Sequence, residues 1–266
     1  MIATVACDVL VVATEPAFHA ELIALGIRSG VHVVCEKPLA VTRADYATVA
    51  GATALRPDLA LVPVHQYRYS PEWPLLARGM RAAIMMRRQY ALTVDVNRLG
   101  TDRFASVPWR ADIAATGGML ADAGVHFLAL AWNVHRQLRL LTVERHMDGS
   151  GHELSTATYR LGTGTVTLKV TDSANERSTQ LQLRVGALAI RWRDDDAQML
   201  VGQRTVHRRR VQALSDRDHV DALYKPLYAD VAHRLGQRRW RTRRTLEALC
   251  VGEALINTLE NAPTAV

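Results

Sequence analysis

Asp122 and His126 stand four residues apart in the apolar run GGMLADAGVHFLALAWNV. On one helix that spacing gives them a common face, where a carboxylate can orient an imidazole and support its charged form. The imidazole can then take or return a proton near neutral pH. Lys37 is the third candidate: it closes the run VHVVCEKPLA directly behind a β-branched stretch, and the carboxyl ends of parallel strands are where ligands bind in doubly wound sheets. Each has a plainer alternative. A buried Asp/His pair can be a satisfied structural hydrogen bond, and Lys37 a surface lysine after a strand. Gly117, Gly118 and Gly124 flank Asp122 and would let a substrate or a neighbouring backbone approach closely.

The elements that must hold these residues are legible from periodicity. Residues 8–14, DVLVVAT, are apolar without alternation, as a strand covered on both faces should be. Pro16 opens a helical stretch with Leu22, Ile23 and Ile27 on one side and Gly30 as its stop. Residues 31–35 read as a second buried strand and 60–64 as a third, with a helix between them that begins at the capping-box-like Thr42-Arg43-Ala44-Asp45. Strand, helix, strand, helix, strand is the second half of a doubly wound dinucleotide-binding fold, with Thr14 and Lys37 at strand ends. His19 reads only as a helix-start residue.

From about residue 90 the period changes to strict alternation, in 91–96, 165–170 and 180–185, punctuated by Asp148-Gly149, Gly162-Thr163-Gly164 and Gly186. That pattern predicts a large, mostly antiparallel sheet with one polar face. The run around Asp122 lies between its first two strands as a buried helix, and two amphipathic helices follow at about 221–235 and 242–260. The expected fold class is therefore α/β, a partial Rossmann unit in residues 1–70, followed by an α+β unit for substrate and oligomerisation in residues 71–266.

Composition narrows the class. At 48% apolar and 22% charged residues the chain is an ordinary globular one. No run reads as a membrane helix, and the apolar N-terminal run contains Asp8 with no basic segment before it, so a cytoplasmic protein is expected. Cys7, Cys35 and Cys250 are too few and too scattered for a disulfide framework or a zinc site, and read as buried inert thiols; no metal is expected. The formal charge is +7, and of the 33 lysines and arginines only Lys37, Lys169 and Lys225 are lysines, leaving 30 arginines. Runs such as His207-Arg208-Arg209-Arg210 come without aromatic platforms or a nucleic-acid motif, so they read as solvated surface or partner contact.

Five stretches in order, DVLVVATEPAFHAELI, GVHVVCEKPLA, His65-Gln66-Tyr67-Arg68-Tyr69, Pro108-Trp109-Arg110 and GGMLADAGVHFLALAW, make the chain resemble the Gfo/Idh/MocA oxidoreductases. Members act mostly on sugars, cyclitols and related polyols with NAD or NADP. The resemblance implies that Lys37 hydrogen-bonds the reacting hydroxyl and the nicotinamide ribose, and that Asp122 and His126 are the family's D-x-G-x-H pair. It also makes Thr14 and Glu36 cofactor contacts beside Lys37. Trp109 and Arg110 line the substrate pocket or cap a sheet, and Arg68 faces a phosphate or pairs on the surface.

One family feature is absent: no G-x-G-x-x-G occurs in the sequence. The expectation is that the phosphate-binding half of the fold, on the order of 60 residues, is missing, which makes NAD(P) binding by this chain doubtful. In the strand order 3-2-1-4-5-6, residues 9–12 form the fourth strand and lose their neighbour, leaving an apolar edge that invites pairing. Either the start at Met1 is late or cut, another chain covers the edge, or the fold is rebuilt around the loss. A homo-oligomer, or a hetero-oligomer with a full-length relative, is expected. Three functions follow: a redox enzyme, a cofactor-independent acid–base enzyme (lyase, dehydratase, epimerase or cyclase) using the same Lys/Asp/His site, or a non-catalytic subunit.

Overall fold

The computed structural model describes residues 7–70, 73–99, 107–175, 177–193, 196–210 and 216–263. Met1 falls outside this set, as do residues 71 and 72 on the far side of the expected boundary after residue 70.

The chain opens with three short parallel strands, β1 (Val9–Val12), β2 (His32–Cys35) and β3 (Leu61–Pro63), in the order β1-β2-β3. Successive side chains of a strand point to opposite faces; both faces of β2 and β3 are covered, whereas β1, expected to be covered on both faces, leaves Val11 51% exposed because it lies at the sheet edge. Val33, Cys35 and Leu61 pack under α1 (His19–Arg28) and α2 (Arg43–Leu55), while Val34, Ala60 and Val62 pack under α7 (Asp216–Arg234) and α8 (Arg238–Asn261). That two-sided burial is why these strands read as continuous apolar runs. Gly30 stops α1 at a φ of +83°, and Thr42 caps α2 by accepting from the Asp45 amide at 3.1 Å while its hydroxyl donates to the Asp45 carboxylate.

The second unit is an eight-stranded sheet in the order β11-β10-β9-β8-β4-β7-β6-β5. Its strands are β4 (Ala91–Leu99), β5 (Leu138–Met147), β6 (Glu153–Leu161), β7 (Gly164–Ala174), β8 (Ser178–Val185), β9 (Leu188–Arg193), β10 (Asp196–Val201) and β11 (Arg204–Arg210). All neighbours run antiparallel except β4 and β7. The hairpin turns expected at Gly162 and Gly186 both hold positive-φ glycines. Every second residue, such as Leu92, Val94 and Val96 on β4 and Val166, Leu168 and Val170 on β7, faces the core, where α3 (Trp73–Met85) and α6 (Val125–Val134) complete the packing. Between β4 and β5 the chain forms the short helices α4 (Pro108–Ala111) and α5 (Ile113–Thr116), then a π-helical turn, Leu120–Gly124, that runs straight into α6.

α8 joins the two units. Its Ala248 belongs to the core under the parallel sheet, while Val251 and Leu255 belong to the core under the large sheet. Two expectations need correction. The stretch Ile113–Val134 does have the length and apolarity to cross a membrane, but its apolar surface packs into the protein's own core. Of the three thiols only Cys35 is buried; Cys7 is exposed and Cys250 half-buried.

Candidate active site

Lys37 follows β2 at its carboxyl end and reaches across to the other unit. Its Nζ donates to the main-chain oxygen of Asp122 at 2.6 Å and to Asp122 Oδ1 at 2.5 Å, so one ammonium grips one residue twice. Burial alone would raise the Asp122 carboxyl, but the Lys37 ammonium, with Arg110 and Arg98 further off, holds it below the usual carboxylate range. The pair is therefore ionic. Asp122 can be there because it sits in the π-helical turn; inserted turns of this kind recur at functional sites, where they re-aim one or two side chains.

His126 sits one turn later and is nearly inaccessible, at 4% exposure. Tyr67 stacks on its ring at a centroid separation of 4.5 Å, and the His65 ring meets it edge-on at 6.4 Å. Its Nδ1 has no hydrogen-bond partner. Burial first, then the positive charges of Lys37, His65 and Arg98, pushes its pKa well below the ordinary histidine value, so the ring is neutral at physiological pH. Here the sequence-based expectation needs correction. Asp122 lies in the same helical run, but its hydrogen-bond partner is Lys37, and the ring is held in its neutral rather than its charged form.

The glycines before Asp122 serve a protein contact. Gly117 and Gly118 have φ of +76° and +68°, and a Cβ on Gly118 would lie 2.2 Å from Glu153 Oε2. Glu153, on β6 and 2% exposed, accepts from the Met119 amide at 2.8 Å and from Ser155 Oγ at 2.5 Å; Arg145 on β5 pairs with it at 3.3 Å and donates to the Gly117 carbonyl at 3.1 Å. The large sheet thus pins the start of the helix that carries Asp122 and His126. Gly124 makes no close approach, its nearest neighbour being 3.6 Å from an added Cβ.

The remaining candidates divide. Thr14 lies just beyond the end of β1 with an exposed side chain. His19 does more than start a helix: it is 1% exposed, and its ring nitrogens meet the carbonyl oxygens of Pro38 at 2.7 Å and Thr14 at 3.0 Å, tying together the loops after β1 and β2. Glu36 accepts from the Lys37 amide at 3.3 Å and from the Tyr224 hydroxyl, and its pKa is raised, mainly by burial. Trp109 and Arg110 stack on each other on α4, the guanidinium 4.8 Å from the ring centroid. Arg68 pairs in the interior rather than on the surface: its guanidinium meets both oxygens of Glu247, at 3.1 and 3.2 Å. Sequence reasoning missed Glu247, Glu153 and the ring contacts of His65 and Tyr67. Glu247 carried a usable signal, since it falls on the same helical stripe as Ala248, Val251 and Leu255.

A parallel-sheet unit with a lysine at a strand end thus faces a helical run that carries an Asp/His pair. Residues 1–60 match the model of the Gfo/Idh/MocA family, described as an oxidoreductase family with an NAD-binding Rossmann fold. Solved structures share the fold along nearly the whole chain. The WlbA dehydrogenase from Bordetella pertussis, in complex with NADH and UDP-GlcNAcA, has 18% identity and a TM-score of 0.69 over 98% of this chain and 79% of that one. An oxidoreductase from Agrobacterium radiobacter, in complex with NAD+, L-tartaric acid and magnesium, has 15% identity and a TM-score of 0.71 over 98% and 80%. KijD10, a 3-ketoreductase from Actinomadura kijaniata in complex with NADP, has 15% identity and a TM-score of 0.67 over 97% and 78%. No curated protein matches the chain by sequence.

Proposed function

We propose that this chain forms the substrate and nicotinamide end of an oxidoreductase site, acting at a hydroxyl or carbonyl carbon of a sugar, cyclitol or related small molecule. The reading is supported above all by the two hydrogen bonds from Lys37 to Asp122, which draw a cation from the parallel-sheet unit and an anion from the facing helical run into one place. An ammonium has three donors, and two are used here, so one N–H is left for a substrate oxygen. Asp122 keeps the Lys37 side chain aimed. When a substrate alcohol is oxidised, the neutral His126 takes its hydroxyl proton while the Lys37 charge steadies the oxygen as negative charge grows on it; in reduction the same groups act in reverse.

A nicotinamide, when bound, supplies or accepts the hydride. The strand-end hydroxyl of Thr14 and the ammonium of Lys37 suit a nicotinamide ribose in chemical kind. For the pyrophosphate the sequence offers no glycine turn of the usual form, so the fit extends only to the nicotinamide end. A sugar-like substrate is supported by the neighbours named as a 3-ketoreductase and as a dehydrogenase bound to UDP-GlcNAcA. The test is turnover of a panel of sugars and cyclitols by the 266-residue chain with NADH or NADPH at several millimolar, followed by nicotinamide absorbance. Turnover should fall by about 10²- to 10⁴-fold in His126→Gln and in Lys37→Met; activity unchanged in both variants would overturn the reading.

A second reading draws on the same geometry. The acid–base groups are assembled without a glycine-turn phosphate site, which suits a cofactor-independent lyase, dehydratase, epimerase or cyclase. Its mark is substrate turnover, or exchange of a substrate C–H with deuterated water, with no nicotinamide present.

A further inference from the structure

Behind His126 lies a buried charge cluster that the proposed chemistry does not use. Glu247 on α8 is fully buried, at 0% exposure. Its carboxylate meets His65 Nδ1 at 3.2 Å, takes two bonds from Arg68 at 3.1 and 3.2 Å, and takes one from Arg244 at 3.1 Å. Arg244 also holds Asp230, which in turn accepts from Tyr69 and Trp240. A lone buried carboxylate would be strongly disfavoured; burial raises its pKa, but the Arg68 guanidinium and the bond from His65 hold it below its ordinary value. A carboxylate can only accept, so His65 Nδ1 carries the proton in that bond.

Three of the bonds on Glu247 end on residues 65 and 68, which bracket the segment whose rings enclose His126. Tyr67 is the stacking face and His65 the edge. Since His126 Nδ1 has no hydrogen-bond partner, the ring cannot take its orientation from a bond at that atom; it takes it from this packing. We propose that Glu247 is a positioning residue for His126: acting through His65 and Arg68, it clamps the 65–68 segment against the imidazole and so fixes the ring without touching it. This rests on the reading of His126 as the proton-transfer group. The charges facing the ring are Lys37 from the parallel-sheet unit, Arg98 from β4 and His65, with Asp122 one turn back on the same helix.

The experiment is nuclear magnetic resonance of the full 266-residue chain labelled at histidine, with the His126 ring signals assigned from the His126→Gln spectrum. In the native chain those signals should be displaced upfield by the Tyr67 stack and should not titrate between pH 7 and 5. Glu247→Gln leaves Arg68 and Arg244 facing an amide, so the clamp loosens, the displacement shrinks and the signals broaden, while Glu247→Asp restores the native positions. Glu247→Gln can fail to fold, and His65→Gln then decides. Its amide still donates to Glu247, but the ring edge is gone, and the His126 signals should leave their native positions and titrate at higher pH than in the native chain. Native signals and native titration in a folded Glu247→Gln, or in folded His65→Gln where the first is unfolded, would overturn the proposal. No substrate or nicotinamide enters the measurement. A native chain that shows the displaced His126 signals yet turns over no hydroxyl substrate therefore fails the functional reading and leaves this inference standing.

Discussion

Lys37 is the residue on which the electrostatics of the site converge. Its ammonium lies against Asp122 and lowers the proton affinity of both Asp122 and His126. Removing it should therefore raise both: in Lys37→Met the Asp122 carboxyl, left to its burial, should titrate higher, and so should His126, as read by carboxyl carbon and imidazole shifts. A downward movement of either would contradict the geometry. His126 also carries a stability signature. Its folded-state pKa lies well below the ordinary value, so as pH falls below about 6.5 the unfolded chain binds a proton the folded chain refuses, and stability is lost. Urea unfolding between pH 7 and 5 should show a slope of up to about 1.4 kcal/mol per pH unit from this group, and His126→Gln should remove that part of it. The residue types of the site were legible in the sequence, because lysine after a buried strand and Asp-x-x-x-His on an apolar helix have few other uses in combination. Their partners were not. A carboxylate such as Glu153 or Glu247 looks like any surface acid until the fold brings an arginine to it.

At the scale of elements, the helical run from Gly118 to Val134 carries both Asp122 and His126. Its position between the first two strands of the large sheet could be read from its apolar length, but the π-helical turn could not. Nearly every residue there is apolar, so one extra residue in a turn shifts no visible stripe. The two glycines nearest the site give opposite expectations. Gly118→Ala puts a Cβ 2.2 Å from Glu153 Oε2 at a φ of +68°; it should cost roughly 1–3 kcal/mol from the backbone alone and dislodge the carboxylate that holds the helix start. Gly124→Ala meets nothing closer than 3.6 Å inside a helical run, and should be neutral or stabilising by up to about 1 kcal/mol. Thermal melts of the two variants check the pair, and equal losses would show that the Glu153 clamp has been misread.

The whole molecule is two sheets bridged by α8, and among the described residues β1 pairs only with β2. Val11 on that edge is 51% exposed. An apolar edge of this kind promotes association, and Val11→Lys should reduce the apparent mass in light scattering at micromolar concentration, whereas an unchanged mass would mean that the edge is not a contact. The proposed function gives this chain the nicotinamide end of a dinucleotide site, in a sequence that contains no G-x-G-x-x-G. Calorimetric titration of the 266-residue chain with NADH, and in parallel with reduced nicotinamide mononucleotide, tests it directly. Dissociation constants of about a millimolar are expected for both, several kcal/mol weaker than a micromolar site, with the adenylate half adding little and Lys37→Ala abolishing what there is. Micromolar affinity for NADH, with the mononucleotide far weaker, would mean that other residues of this chain grip the pyrophosphate and that the site is not confined to the nicotinamide end.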